Sequence, residues 1–158
     1  MSSSYRISDE PTPSQLAKFA VNPLWPFLAV MLGGVWLSWS WFAFNAMAVG
    51  SPTVRREIIW IIAGLTVSVL LVMVIFYLEA IGILNSPAKV QYALLVLTAW
   101  QLGVTYALYT LQSRTIQIYE YFGGTLRNGL IVVIVAMVFR KSILAIIAPT
   151  TFLKLVIG

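Results

Sequence analysis

The stretch "MVFRKSILA", Met137–Ala145, decides how this chain is read. Ten apolar residues, Leu130–Phe139, lead into Arg140 and Lys141, and apolar sequence resumes at Ile143. Ten helical residues rise only about 15 Å, half of a hydrocarbon core of about 30 Å. A membrane segment here has three solutions. It can begin upstream near Gly124, so that Thr125–Phe139 and snorkelling side chains nearly suffice. It can continue to about Ala148 with both charges inside the span. It can also stop short and leave Ser142–Gly158 as an interfacial tail bent at Pro149. A basic side chain at the bilayer centre costs at least about 2.5–3.5 kcal/mol on insertion scales, and long basic side chains near a helix end avoid much of that. The expectation is an end near Arg140 and Lys141, followed by a C-terminal tail that rests on the membrane or partly re-enters it.

Composition explains why a membrane is at issue. The chain has 158 residues, 60% hydrophobic and 9% charged, with a mean hydropathy of +0.91. Soluble domains carry about 25% charged residues, so the apolar surface must be buried in lipid. Ten basic and five acidic side chains leave a net charge of +5, which suits anionic headgroups. No dense basic stripe suggests nucleic acid. Cysteine and histidine are absent, which removes disulfides, thiolate metal sites, and the commonest metal ligand and proton shuttle. No cofactor or metal is expected.

Working outward, four hydrophobic segments follow a polar arm, Met1–Asn22. The spans are read as about 24–49, 58–83, 90–111 and 125–148, each long enough to cross as a helix. Gly50-Ser51-Pro52 and Asn85-Ser86-Pro87 carry turn chemistry at the first two joints. The third joint, Gln112–Asn128, holds Tyr119, Tyr121 and Phe122, which suit an interface. Two glycines, Gly123 and Gly124, mark a turn there, so Glu120 and Arg127 are not expected to share one continuous helix. The arm lacks the basic start and short apolar core of a signal peptide. Thr12-Pro13 resembles a helix start, and Leu16, Phe19 and Ala20 share a face, so Pro13–Val21 is read as a short helix on the membrane surface. The fold class is therefore all-α: a multi-pass integral membrane protein with four transmembrane helices, an N-terminal interfacial helix and a C-terminal interfacial tail. Residues 23–158 form one four-helix domain.

Candidate contact residues come from helix faces. In the first span Gly34, Ser38, Trp41 and Asn45 make one stripe. Small residues there let another helix approach, and Asn45 needs a partner. Trp25, Trp36 and Trp39 fall opposite, placed to pack on another subunit or to border a lipid groove. Gly64 and Ser68 form a small-residue pair in the second span. In the third, Gln91, Thr98, Gln101, Thr105, Tyr109 and Gln112 lie near one face. An amide facing lipid has no hydrogen-bond partner, so this face should meet other helices or line a wet cavity, with helix contact the preferred reading. Glu57 opens the second span, where the positive helix end favours it. Glu79, Arg140 and Lys141 are the candidates for charge at membrane depth.

The chemistry excludes more than it names. Without histidine no Ser-His-Asp set exists, and no phosphate loop or metal-ligand cluster is present. Asp9-Glu10 reads as a solvated pair. With the N-terminus cytoplasmic, Arg6, Lys18, Lys89, Arg140, Lys141 and Lys154 lie inside against Arg55, Arg56, Arg114 and Arg127 outside, a narrow margin for that orientation. The expected protein is a non-enzymatic subunit of a larger assembly in a bacterial inner (plasma) membrane. Its partners are the lipid bilayer and other membrane-protein subunits or copies of itself. The rival is a channel or transporter whose pore forms by homo-oligomerisation around the polar face of the third span.

Overall fold

Gly33 and Gly34 break the first hydrophobic segment in two. Helix α1, Leu24–Leu32, ends there, and α2, Val35–Val49, begins at Gly34, whose φ of 106° lies outside the range that other residues adopt. The remaining helices are α3 (Val54–Ala80), α4 (Pro87–Tyr121), α5 (Leu130–Ile147) and α6 (Thr151–Ile157), with a 3-10 turn at Gln15–Phe19. This computed structural model describes residues 11–158; Arg6 and the Asp9-Glu10 pair lie outside the described residues.

Side-chain neighbours fix the direction of each helix. Phe27 meets Tyr109 at 5.5 Å between ring centroids. A Cβ on Gly129 would lie 2.7 Å from Trp25 and 2.9 Å from Trp41, and one on Gly33 would lie 3.4 Å from Ala136. So α1 runs parallel to α5. On the return, Trp39 bonds Thr105, Asn45 bonds Gln112 and Ser51 bonds Thr115, so α2 runs parallel to α4. The chain therefore enters and leaves the bundle at one end, here called the arm end. The hairpin tip at Gly33-Gly34 reaches the level of the middle of α4. At about 1.5 Å per residue, the 9 residues of α1 and the 15 of α2 are each shorter than a hydrocarbon core of about 30 Å.

Among the described residues three helices, α3, α4 and α5, are long and apolar enough to cross a membrane, rather than the four spans expected. The first segment is a hairpin because its centre holds two adjacent glycines, which destabilise helix relative to other residues. α4 is longer than its expected span, running from the Ser86 cap and Pro87 to Tyr121, with the turn at Gly123 (φ 85°). α5 passes straight through Arg140 and Lys141 to Ile147. It stops before Pro149, whose ring disfavours helix in the preceding residue.

The tail is helical and packs on the protein: α6 turns back into the bundle, where Phe152 stacks on Phe76 at 6.2 Å and Val156 is buried with Val72 and Leu97. Its end meets the hairpin tip: a Cβ on Gly34 would lie 3.1 Å from the carbonyls of Ile157 and Gly158. The arm also differs from the expected surface helix. Ser14, not Thr12, caps the turn, and its hydroxyl accepts from Leu16 N. Ala17 and Ala20 are buried while Leu16 and Phe19 are exposed, the three-residue period of a 3-10 turn rather than an α-helical face. Backbone bonds from Thr12 to Gly50 and from Ser14 to Ala48 dock the arm on the end of α2. The main core, Val30, Val35, Trp39, Phe42, Val104 and Leu108, lies between hairpin and α4.

Candidate functional site

At the arm end, polar side chains from four parts of the chain converge on Glu57. Gly50, at φ 67°, ends α2 in the left-handed conformation, and the turn delivers Ser51 and Thr53 to the start of α3. Glu57 sits in the first turn of α3 and is wholly buried. Its Oε1 accepts from Ser51 Oγ and from Thr53 Oγ1, both at 2.8 Å. Its Oε2 accepts from Gln112 Nε2 at 2.9 Å. Thr115 Oγ1 lies 3.2 Å behind Ser51.

The network continues away from the carboxyl. Gln112 Nε2 donates its second proton to the Phe42 carbonyl at 2.9 Å, and Gln112 Oε1 accepts from Asn45 Nδ2 at 3.2 Å. Asn45 also donates to the Val21 carbonyl at 2.9 Å and accepts from Val21 N at 3.2 Å. Both amides thus use both ends, and their orientation is set by the Val21 backbone, which cannot flip. Three groups meet the Glu57 carboxyl, two hydroxyls and an amide N–H. A buried carboxyl is costly unless hydrogen-bonded, and these three contacts meet that need.

A second polar group lies deeper. Trp39 Nε1 donates to Thr105 Oγ1 at 2.8 Å, and Thr105 donates to the Gln101 carbonyl at 2.7 Å. Gln101 Nε2 donates to the Val156 carbonyl at 3.1 Å, tying α6 to α4. Gly64 is buried beneath Trp39; a Cβ there would lie 2.7 Å from the indole. Its carbonyl accepts from Trp100 Nε1 at 3.2 Å.

The expected site residues are therefore dispersed. Asn45 belongs to the Glu57 network, and Gln101 and Thr105 to the deeper group. Gly34 is the hairpin tip, not part of a helical stripe. Ser38 and Ser68 are buried without a hydrogen-bond partner for their hydroxyls. Thr98 is exposed and donates to its own helix at Leu94. Tyr109 is half-buried against Phe27. Glu79 is exposed at the end of α3. Arg140 is half-buried and Lys141 exposed on α5. Trp39, expected opposite the contact stripe, is buried inside the chain, while Trp41 and Trp36 border an open groove. The buried face of α2 includes Val35, Ser38, Trp39, Phe42, Asn45 and Ala46, so it is centred between Ser38 and Trp39 and not towards Trp41. Sequence reasoning placed Glu57 at a helix start and Gln112 on the polar face but did not join them, nor did it use Ser51, Thr53 or Thr115.

Among the described residues no cluster of three His, Cys, Asp or Glu side chains could hold a metal ion. No protein-family model, curated protein or solved structure matches the chain.

Proposed function

We propose that the protein is a non-enzymatic subunit of a larger membrane assembly and that the lower half of α5 is the surface it offers. The observation that carries this reading is the position of Arg140 and Lys141. They lie inside an unbroken helix, about 15 Å of helical rise below Leu130. The three described acids are elsewhere: Glu57 is enclosed by its own donors, and Glu79 and Glu120 stand at the ends of α3 and α4. α5 packs chiefly on α1, and of its residues only Val133 and Ala136 are buried. Ionisable residues at membrane depth pair with one another or with a partner. An acidic or carbonyl-rich helix from another subunit would supply that partner.

The rival reading, a self-assembled pore around the polar face of α4, has less to draw on. Gln101 through Nε2, and Thr105, Gln112 and Thr115, already bond within the chain. The hairpin also revises the charge count that sets orientation. Lys18, Arg55, Arg56, Arg114 and Arg127 fall at the arm end, against Lys89 and Lys154 towards the other. Five against two supports an arm end on the cytoplasmic side.

Purification from the native membrane in mild detergent tests the proposal. The expected result is a stoichiometric complex with at least one other chain, which Lys141→Glu dissociates while the protein itself stays folded. A monomer or pure homo-oligomer, or a complex indifferent to Lys141→Glu, would refute it.

A further inference from the structure

A groove of about 630 Å³ opens between α2, the start of α5 and the arm. Phe19, Val21, Trp36, Leu37, Trp41 and Val132 make its apolar walls. Trp36 Nε1 donates to the Gly33 carbonyl at 2.8 Å, so this indole offers the groove only its apolar surface. At the arm end the lining turns polar, with Arg127 and Asn128. Arg127 uses Nε on the Lys18 carbonyl at 3.3 Å and its backbone N–H on Ala20. Arg127 is exposed at the rim, with the Lys18 carbonyl on its Nε. Among the described residues no acidic side chain lines the groove, and α5 begins there, with Leu130 N donating to Asn128 Oδ1 at 2.9 Å.

From these observations we propose that the groove binds one anionic phospholipid, with an acyl chain against Trp36 and Trp41 and the headgroup phosphate at Arg127. Three features select this occupant. The groove runs from the arm end down to Trp36, two residues past the hairpin tip. On α2 the lining runs from Trp36 to Trp41, and Val21, bonded to Asn45, closes the arm end; the nine helical steps from Trp36 to the level of Asn45 rise about 13 Å, close to half of a core of about 30 Å. That is the depth of one leaflet, whereas a partner's crossing helix would need a groove through both. The volume lies within the range of ligand pockets, roughly 300–1,000 Å³. The charge at the rim is cationic, and unlike the unpaired charges of α5 it sits where a headgroup sits. Acyl chains alone gain nothing by leaving the bilayer for an apolar groove, so selectivity rests on Arg127.

The test is electron spin resonance on protein reconstituted in phosphatidylcholine vesicles, with phosphatidylglycerol or phosphatidylcholine carrying the same nitroxide near the chain end. One restricted site per chain should favour phosphatidylglycerol by about fivefold, the factor that one basic residue contributes at a membrane surface. Arg127→Gln should remove the preference of that one site without changing the helical content. Val132→Trp, which fills the groove, should remove about one restricted lipid per chain whatever its headgroup. Equal restriction of the two lipids, or a preference that Arg127→Gln leaves unchanged, would overturn the proposal. The chain has no cysteine, so Ser40→Cys gives a clean cross-linking probe. Efficient Ser40–Ser40 cross-linking in these vesicles would show a second copy in the groove and would also overturn it.

Discussion

Gln112→Leu is the sharpest probe of the polar network, because Gln112 serves three partners at once. The change keeps the bulk and removes hydrogen bonds to Glu57 Oε2, to the Phe42 carbonyl and from Asn45 Nδ2. At the mean of about 0.6 kcal/mol for an interhelical bond in a membrane protein, the loss is about 2 kcal/mol. Two ordinary bonds at about 1 kcal/mol and one to a carboxylate at about 1.5–3 kcal/mol raise it to about 3.5–5 kcal/mol. Glu57→Gln should cost less, about 1 kcal/mol or under. Its amide can turn towards Ser51 and Thr53, whose hydroxyls rotate to accept, while its oxygen still accepts from Gln112. Gln112→Glu should be the worst of the three. It sets a second carboxylate 2.9 Å from the first and an oxygen against the Phe42 carbonyl. Reversible unfolding in mixed micelles, followed by circular dichroism, gives the order. Because Asn45 also holds Val21, Gln112→Leu should speed tryptic cleavage at Lys18. A Gln112→Leu protein within about 0.5 kcal/mol of the parent, the scatter of inert surface changes, would refute the reasoning. So would a Glu57→Gln protein less stable than Gln112→Leu.

Three further outcomes follow from the fold. Single cysteines at Gln15, Pro52 and Gly123 should label from one side of sealed vesicles and one at Asn85 from the other; opposite labelling of Gln15 and Pro52 would mean that the first segment crosses. Gly34→Ala should cost about 1–3 kcal/mol, since a φ of 106° is a glycine conformation, whereas Gly33→Ala, at φ −104° and against the mobile end of Leu37, should cost clearly less; thermal unfolding of the pair compares them. Gly64→Ala should push the Trp39 indole off Thr105 and shift the tryptophan emission, and an unchanged spectrum in both Gly64→Ala and Thr105→Val would contradict that placement.

The class of this protein was legible because it rests on composition and on segment length, both of which survive any error in packing. α3 and α4 were legible for the same reason, with Gly50, Ser86-Pro87 and Gly123 punctuating them. The hairpin was not, because hydropathy measures how apolar a stretch is and not whether it reverses. A 26-residue apolar run, 24–49, satisfies a crossing as well as it does a nine- and a fifteen-residue helix folded together. The signal that separates them was present: adjacent glycines at 33 and 34 sit where a crossing helix would want bulk. Taken as a small contact residue, Gly34 hides the reversal, whereas the placing of Trp39 and Trp41 turns on which side of Ser38 and Asn45 the buried face of α2 extends. Arg140 and Lys141 were read as a terminus from the cost of burying charge. That rule acts on a finished assembly and cannot see a lipid headgroup or another subunit. The Glu57 network joins residues up to 70 positions apart, as in the bond from Gln112 to Phe42, and no local spacing encodes that.

The location of the polar groups follows from the hairpin itself. A crossing helix is held at both interfaces, by polar ends that resist being drawn into lipid. A hairpin of two short helices has only one such end, and backbone groups at hydrocarbon depth must find partners inside the protein. The tip meets that demand locally: Ala29 O accepts from both Gly33 N and Gly34 N, and Gly33 O accepts from Trp36. The end of α6 then closes over Gly34. At the open end, Asn45, Ser51 and Glu57 bind α2 to the arm, α3 and α4. Between those ends, Trp39 on Thr105 fixes the rotation of α2 against α4. Removing the ties at the open end would leave the hairpin held by apolar packing and the Trp39–Thr105 bond. Lipid competes with that packing on nearly equal terms, because acyl chains are as apolar as the helices. The buried carboxylate with its three donors is thus placed where the fold has most need of a directional bond, at the one mouth through which the hairpin could leave.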